Sequence, residues 1–247
     1  MKAMDVMVHD VVTVKPDDEV HQAVKLMVDH DVSALPVVDA GGKVVGIMSE
    51  SDIMRREEID TDKRRPWWLE AITPAATLAH DFAKSHGQKV HEVMSPKVVS
   101  ATEETTLRDL ATLLEKHRIK RVPILRDGKL VGIVSRTNLV QALASAQWPL
   151  NGAADADRDI RLKLLDRLKS EKWTDFGSRN ITVHDGVVHL WGLVGSDDER
   201  KALLALAEEV PGVKSVCDET FAGYYSVVST GAKRSGETLS PQLAANG

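Results

Sequence analysis

Apolar positions along the first 145 residues alternate between two rhythms. Val20, Ala23, Val24, Met27 and Val28 recur at three- and four-residue spacing, which predicts a helix with one apolar face. Pro16-Asp17-Asp18-Glu19 precedes them and reads as a helix start, with acids at the positive end of the dipole. Ala34 to Asp39 and Val44 to Ser49 are short apolar runs around Ala40-Gly41-Gly42-Lys43, and predict two strands joined by a turn. Val11 to Val14 is a further short β-branched run. The order is strand, helix, strand, turn, strand, with Ser49 placed to cap a second helix.

The same order returns later in the chain. Val6 to Val14 has its counterpart in Val93 to Ala101, and Leu35-Pro36-Val37-Val38 in Val122-Pro123-Ile124-Leu125, both at an offset of 87. Gly46-Ile47-Met48-Ser49 has its counterpart in Gly132-Ile133-Val134-Ser135 at an offset of 86. Leu107, Leu110, Ala111 and Leu114 supply the second helical face, and Asp127-Gly128 the second hairpin turn, since both residues tolerate positive φ. A unit of about 50 residues buries too little surface to be stable alone. The two copies are therefore expected to pack sheet to sheet with pseudo-two-fold symmetry, leaving two related clefts.

Beyond the repeats, Asp157 to Lys169 carries Ile160, Leu164, Leu165 and Leu168 on one helical side. Asn180 to Val194 alternates on either side of Asp185-Gly186, a hairpin. Ser196-Asp197-Asp198-Glu199 has the capping-box pattern, followed by Leu203, Leu206, Ala207 and Val210, then Pro211-Gly212 and a closing strand from Val213 to Thr220. The expected organisation is a first repeat at 1–60, a helical insert at 61–87, a second repeat at 88–146, a linker at 147–156, a small αββαβ domain at 157–223 and a disordered tail at 224–247. The fold class is α+β, mixed α/β. In the insert, Trp67 and Trp68 have two readings, a cover over part of the core or a dimer or membrane-surface contact.

Composition narrows the functions. The formal net charge is −5, against the dominant basic surface of a nucleic-acid binder, although a local basic pocket for one phosphate remains open. Cys217 is the lone cysteine, so no disulfide framework or Cys-rich metal site is expected. No signal peptide and no stretch of 18 uncharged apolar residues is evident, which together favour a cytoplasmic protein. No Ser-His-acid, Cys-His, Walker or metal-ligand constellation is present, so no catalytic residue, metal ligand or tightly required cofactor is assigned.

The repeats resemble the CBS-domain pair, or Bateman module, over roughly 1–60 and 88–146. The resemblance rests on Gly46-Ile47-Met48-Ser49-Glu50-Ser51-Asp52 and Gly132-Ile133-Val134-Ser135-Arg136-Thr137-Asn138, which match that family's Gly-apolar-x-Thr/Ser-x-x-Asp element. It implies a regulatory adenosine ligand, AMP, ADP, ATP or an S-adenosyl compound, in the cleft of the pair. Asp52 suits the ribose hydroxyls, Ser49 or Ser135 a phosphate oxygen, and the apolar strands a slot for adenine. The candidate nucleotide-binding residues are Val11, Thr13, Ala34, Pro36, Ser49, Asp52, Ser100, His117, Arg121, Pro123, Ser135 and Asn138. Asn138 stands where the acid would be, weakening the second site, while His117-Arg118-Ile119-Lys120-Arg121 suits phosphate. Ser49 with Asp52, and Asn138, have a second reading as helix caps.

Residues 157–223 resemble a BON domain through Ile181 to Gly192, Glu199-Arg200 and Val210-Pro211-Gly212-Val213. That resemblance implies attachment to a protein partner or a phospholipid surface. The acidic character of the segment supplies no basic amphipathic helix for lipid. His184, His189 and Trp191 read as structural, as does Cys217. The combined expectation is a nucleotide-sensing adaptor, self-associating as a homodimer through the CBS pair. The alternative is a ligand-free scaffold or dimerisation protein.

Overall fold

The computed structural model describes residues 1–54, 73–74, 77, 86–145 and 155–222. Trp67 and Trp68, most of the insert, most of the linker and the tail lie outside the described residues.

The first repeat contains α1 (Ala3–Val6), α2 (Val20–Asp29), β1 (Ala34–Val38), β2 (Val44–Ser49) and α3 (Glu50–Ile53). The second contains α4 (Val90–Val93), β3 (Ala101–Thr102), α5 (Leu107–Lys116), β4 (Arg121–Arg126), β5 (Lys129–Ser135) and α6 (Arg136–Ser145). The strands β1 and β2 pair antiparallel with Ala34 opposite Ser49, and β4 and β5 do the same with Arg121 opposite Ser135. The β-branched run at Val11 to Val14 is not a strand of its own; Val14 alone bridges Val37, whereas its counterpart Ala101 begins the two-residue β3, parallel to β4.

The short helices α1 and α4 have exchanged places. Ala3, Val6 and Met7 are buried with Leu110, Leu114, Val122, Ile124 and Val134 of the second repeat. Val90 and Val93 are buried with Val20, Ala23, Leu35, Val37 and Met48 of the first. Full burial of such side chains contributes about 1.5–3 kcal/mol each, so each core depends on its neighbour's helix. Two crossing segments result. One runs from the Val8–Ile133 bridge to the Val14–Val37 bridge; the other runs from the Ile47–Ser95 bridge to the pairing of Ala101 with Ile124. Gly46 and Gly132 sit where these segments press on the sheets: a Cβ on Gly132 would lie 2.6 Å from Met7 Sδ and 3.0 Å from Val8 O, and one on Gly46 would strike Met94.

The third domain contains α7 (Asp155–Lys169), β6 (Ile181–His184), β7 (Val187–Val194), α8 (Asp197–Glu208) and β8 (Ser215–Ala222). Its sheet has the order β6-β7-β8, with the first pair antiparallel and the second parallel. Ile160, Leu164, Leu165 and Leu168 of α7 pack with Ile181, Val183, Val188, Leu190 and Leu203 on one face of the sheet. The hairpin turn at Asp185-Gly186 takes positive φ at both residues, 49° and 77°. Asp157, 3% exposed, holds that turn by accepting from the N–H of Asp185 at 2.9 Å and of Gly186 at 2.7 Å. Ser196 caps α8 by accepting from Glu199 N. β6, an edge strand of this sheet, also lies against α6 of the second repeat.

Candidate functional site

Each repeat ends its second strand on a serine and begins a helix there. In the first, Asp52 Oδ2 accepts from Ser49 N at 2.9 Å and Ser49 Oγ at 2.8 Å. In the second, Asn138 Oδ1 accepts from Ser135 N and Ser135 Oγ, both at 2.8 Å. These are cap bonds, and they fix the same side chains proposed for ribose and phosphate. The halves differ at the crossing segment. Ser95 Oγ donates to Asp52 Oδ1 at 3.1 Å, while the equivalent position beside Ile133 is Val8, which bonds only through its backbone. Asp52 is half-buried; Asn138 is 5% exposed.

The exchange of helices regroups the candidates. Reading by copy would place Val11 and Thr13 with Asp52. The bridge of Ile47 to Ser95 instead sets the 95–101 segment, carrying Ser100, beside the Asp52 half, and the bridge of Val8 to Ile133 starts the Val11 and Thr13 segment from the Asn138 half. Val11 and Thr13 are half-buried and Ser100 is exposed. Pro36 and Pro123 lie buried opposite Ile47 and Ile133 in their sheets.

Of the candidate residues, Arg121 is the cation that reaches from one repeat into the other. Carried by the second repeat, it donates through Nη1 to Ala34 O at 3.5 Å and through Nη2 to Ser33 Oγ in the first. Burial draws its guanidinium below the ordinary range, partly offset by Glu50. Lys120 also crosses, pairing with Glu50 at 3.3 Å. His117 stands apart from these contacts, exposed at the C-terminal cap of α5. Arg118 follows it in the left-handed region with φ 53°, as does Asp31 after α2 with φ 49°.

On the outer face of the third domain's sheet, Trp191 Nε1 donates to Thr182 Oγ1 at 2.9 Å and His189 stacks on Trp191 with centroids 5.8 Å apart. Burial lowers the pKa of His189, with His184 adding to the effect and Glu219 opposing it. Among the described residues no group of three or more His, Cys, Asp or Glu is placed to hold a metal ion, and no helix is long and apolar enough to cross a membrane.

Sequence reasoning missed one functional-looking group, Arg161. It sits on α7 between core leucines, is 2% exposed, and has no neighbour in sequence that signals its burial.

Residues 3–58 and 90–145 match the CBS domain, and residues 156–220 match the BON domain. A CBS domain-containing protein, YhcV of Bacillus subtilis, is 33% identical over 135 residues, which is 55% of this chain and 80% of that one. The chloroplastic CBS domain-containing protein CBSX1 of Arabidopsis thaliana is 32% identical over 139 residues, 54% of this chain and 59% of its own length. Among solved structures, CBSX2 in complex with AMP superimposes with a TM-score of 0.51 at 31% identity, over 58% of this chain and 96% of that one.

Proposed function

The chain belongs to the CBS-domain proteins and carries a BON domain after the pair, and from that premise we propose that it is an adenine-nucleotide sensor whose BON domain relays the bound state to a partner. The observation that carries this reading is the repeated Ser-to-Asp52 and Ser-to-Asn138 arrangement with the half-buried Arg121 between the two halves. A nucleoside entering the Asp52 half exchanges cap bonds for bonds from its ribose hydroxyls, and its phosphate is drawn to Arg121. The crystal structure of CBSX2 in complex with AMP supports an adenosine ligand for this fold. The pair self-associates as a homodimer, and the setting is cytoplasmic.

Calorimetric titration of the full chain with AMP, ADP, ATP and S-adenosylmethionine tests the proposal, with native mass spectrometry reporting retained nucleotide and stoichiometry. Heat of binding from at least one of them, with a mass shift of one or two nucleotides per chain, is the expected result. Its absence for all four ends the proposal.

One observation favours a second reading. Asp52 is already engaged with Ser49 and Ser95, and Asn138 is almost fully covered, as in a pair that serves only as a scaffold. A dimer in native mass spectrometry with no ligand heat would establish it.

A further inference from the structure

The BON domain grips one half of the CBS pair at the wall of its cleft. Arg161 donates through Nε to Ile181 O at 3.0 Å and through Nη2 to Ser178 O at 2.7 Å, both in its own domain. The same Nη2 also donates to Met7 O at 3.0 Å, on the segment that crosses between repeats. The next residue, Val8, exchanges two backbone bonds with Ile133, at 2.9 and 3.0 Å. The one after, His9, donates its N–H to Ser178 Oγ at 3.0 Å. Two residues before Met7, Asp5 accepts from Nε and Nη2 of Arg158, at 2.9 and 2.7 Å. Residues 5–9 are thus clipped to the BON domain at three points.

The other wall is held as well. From Ile133 the chain continues through Ser135 and Asn138 into α6, and the body of α6 lies on β6 of the BON domain. Both walls of the Asn138 half are therefore anchored to one neighbour. The Asp52 half has the matching Ile47–Ser95 bridge, but the BON domain's bond to the first repeat, Arg179 Nη1 to His30 O at 3.3 Å, falls at the end of α2 instead.

In this seated arrangement Asn138 is 5% exposed and its Oδ1 is taken up by Ser135. An outward movement of the segment that begins at Val8, or of α6, which carries Asn138, would open this half to a ribose, and either movement pulls on the BON contacts. Arg161 makes those contacts brittle, because a guanidinium buried among carbonyls tolerates little displacement before a donor is left without a partner. Burial lowers the pKa of its guanidinium to about 10, with Asp5 opposing.

We propose that the BON domain is a stop on the Asn138 cleft: seated, it keeps that cleft shut, and adenine nucleotide entering there unseats it. The proposal rests on the nucleotide reading above. The surface freed on unseating is the part of β6 that lies against α6. Linkage is reciprocal, so whatever loosens the seat must tighten nucleotide binding by the same factor.

Hydrogen exchange on the full chain, with and without saturating AMP, tests this. Faster exchange is expected in peptides spanning 5–10 and 176–184 when AMP is added. The increase persists in Asp52→Ala, which disables the other cleft, and sets in at lower AMP concentration in Asn138→Asp, which supplies a carboxylate, while exchange of that variant without AMP stays at the unmodified protein's rate, so that a loosened fold is not the source of the gain. Combining Arg158→Ala with Ser178→Ala loosens the seat and should tighten AMP binding within the roughly 5- to 150-fold range of such couplings. AMP binding with unchanged exchange at both peptides overturns the stop and leaves the sensor reading intact. So does an increase that Asp52→Ala abolishes and Asn138→Asp leaves unmoved. No calorimetric binding of AMP, ADP, ATP or S-adenosylmethionine overturns both readings.

Discussion

Arg121 of the second repeat donates to the carbonyl of Ala34 in the first, the position that Arg121 itself occupies one repeat earlier. The pseudo-symmetry thus meets at a single guanidinium: one copy supplies the charge and the other supplies backbone and Ser33 to hold it. Under the proposed function, a phosphate arriving from either half would compete with those neutral acceptors, with charge in its favour.

Arg121→Gln is therefore expected to weaken AMP while leaving adenosine binding unchanged. A hydrogen bond to a charged group is worth about 1.5–3 kcal/mol, or about ten- to a hundred-fold in affinity. Parallel calorimetry with the two ligands checks it.

Asp52→Ala is expected to lower nucleotide affinity by about ten- to a hundred-fold. It also removes the acceptor for Ser49 and Ser95, so the free protein should lose about 1 kcal/mol, read as a lower midpoint in urea.

Gly132→Ala should destabilise more than Gly46→Ala. The added methyl at 132 meets Val8 O, a backbone atom tied to Ile133, as well as Met7 Sδ; at 46 it meets the flexible side chain of Met94. Overpacking of this kind costs about 1–3 kcal/mol, and the difference between the two variants is measured by denaturant unfolding.

Asp157→Ala leaves the buried N–H of Gly186 and the part-buried N–H of Asp185 without their carboxylate. A loss of about 3 kcal/mol is expected, confined to the third domain. Exchange of amides in β6 and β7 should rise while those of β1 and β2 stay protected.

Acidification should weaken the protein through His9. Burial, and then Arg161, lower its pKa below 6.5; Lys169 adds to this, while Asp10 and Glu103 oppose it. Between that lowered value and 6.5 the unfolded chain binds more protons than the folded one, so stability present above 6.5 is lost as the pH falls. His189, also lowered by burial, acts with the same sign. The thermal midpoint should fall between about pH 7.5 and about pH 5.5, and His9→Asn should reduce that fall.

The repeat, its hairpins and its two Ser-to-Asp52 or Ser-to-Asn138 elements were legible because each depends on local chemistry: turn residues, spacing and an N-cap. The left-handed pairs at Asp127-Gly128 and Asp185-Gly186 are where the turn residues predict them. What the spacing did not reveal was α1 and α4, since four residues span barely one turn and leave no period to read. Their exchange is non-local, and so is the regrouping of Ser100 and Thr13 that follows from it. Arg161 was hidden for the same reason. Its partners at 7, 178 and 181 converge only after three elements have docked, and between leucines it passes for an exposed helical position. The motif glycines are explained by the structure in a way the sequence pattern alone is not: they make room for a methionine from the other repeat's crossing segment.

The trading of α1 and α4 has a consequence for taking the molecule apart. Deleting the first seven residues would injure the repeat that lies a hundred residues downstream, by opening the core around Leu110 and Ile124. Conversely, a fragment ending before residue 88 would lack the valines that close its own interior. Although the chain spells the unit twice, neither copy can be cut out as a self-sufficient piece, and the pair stands or melts as one.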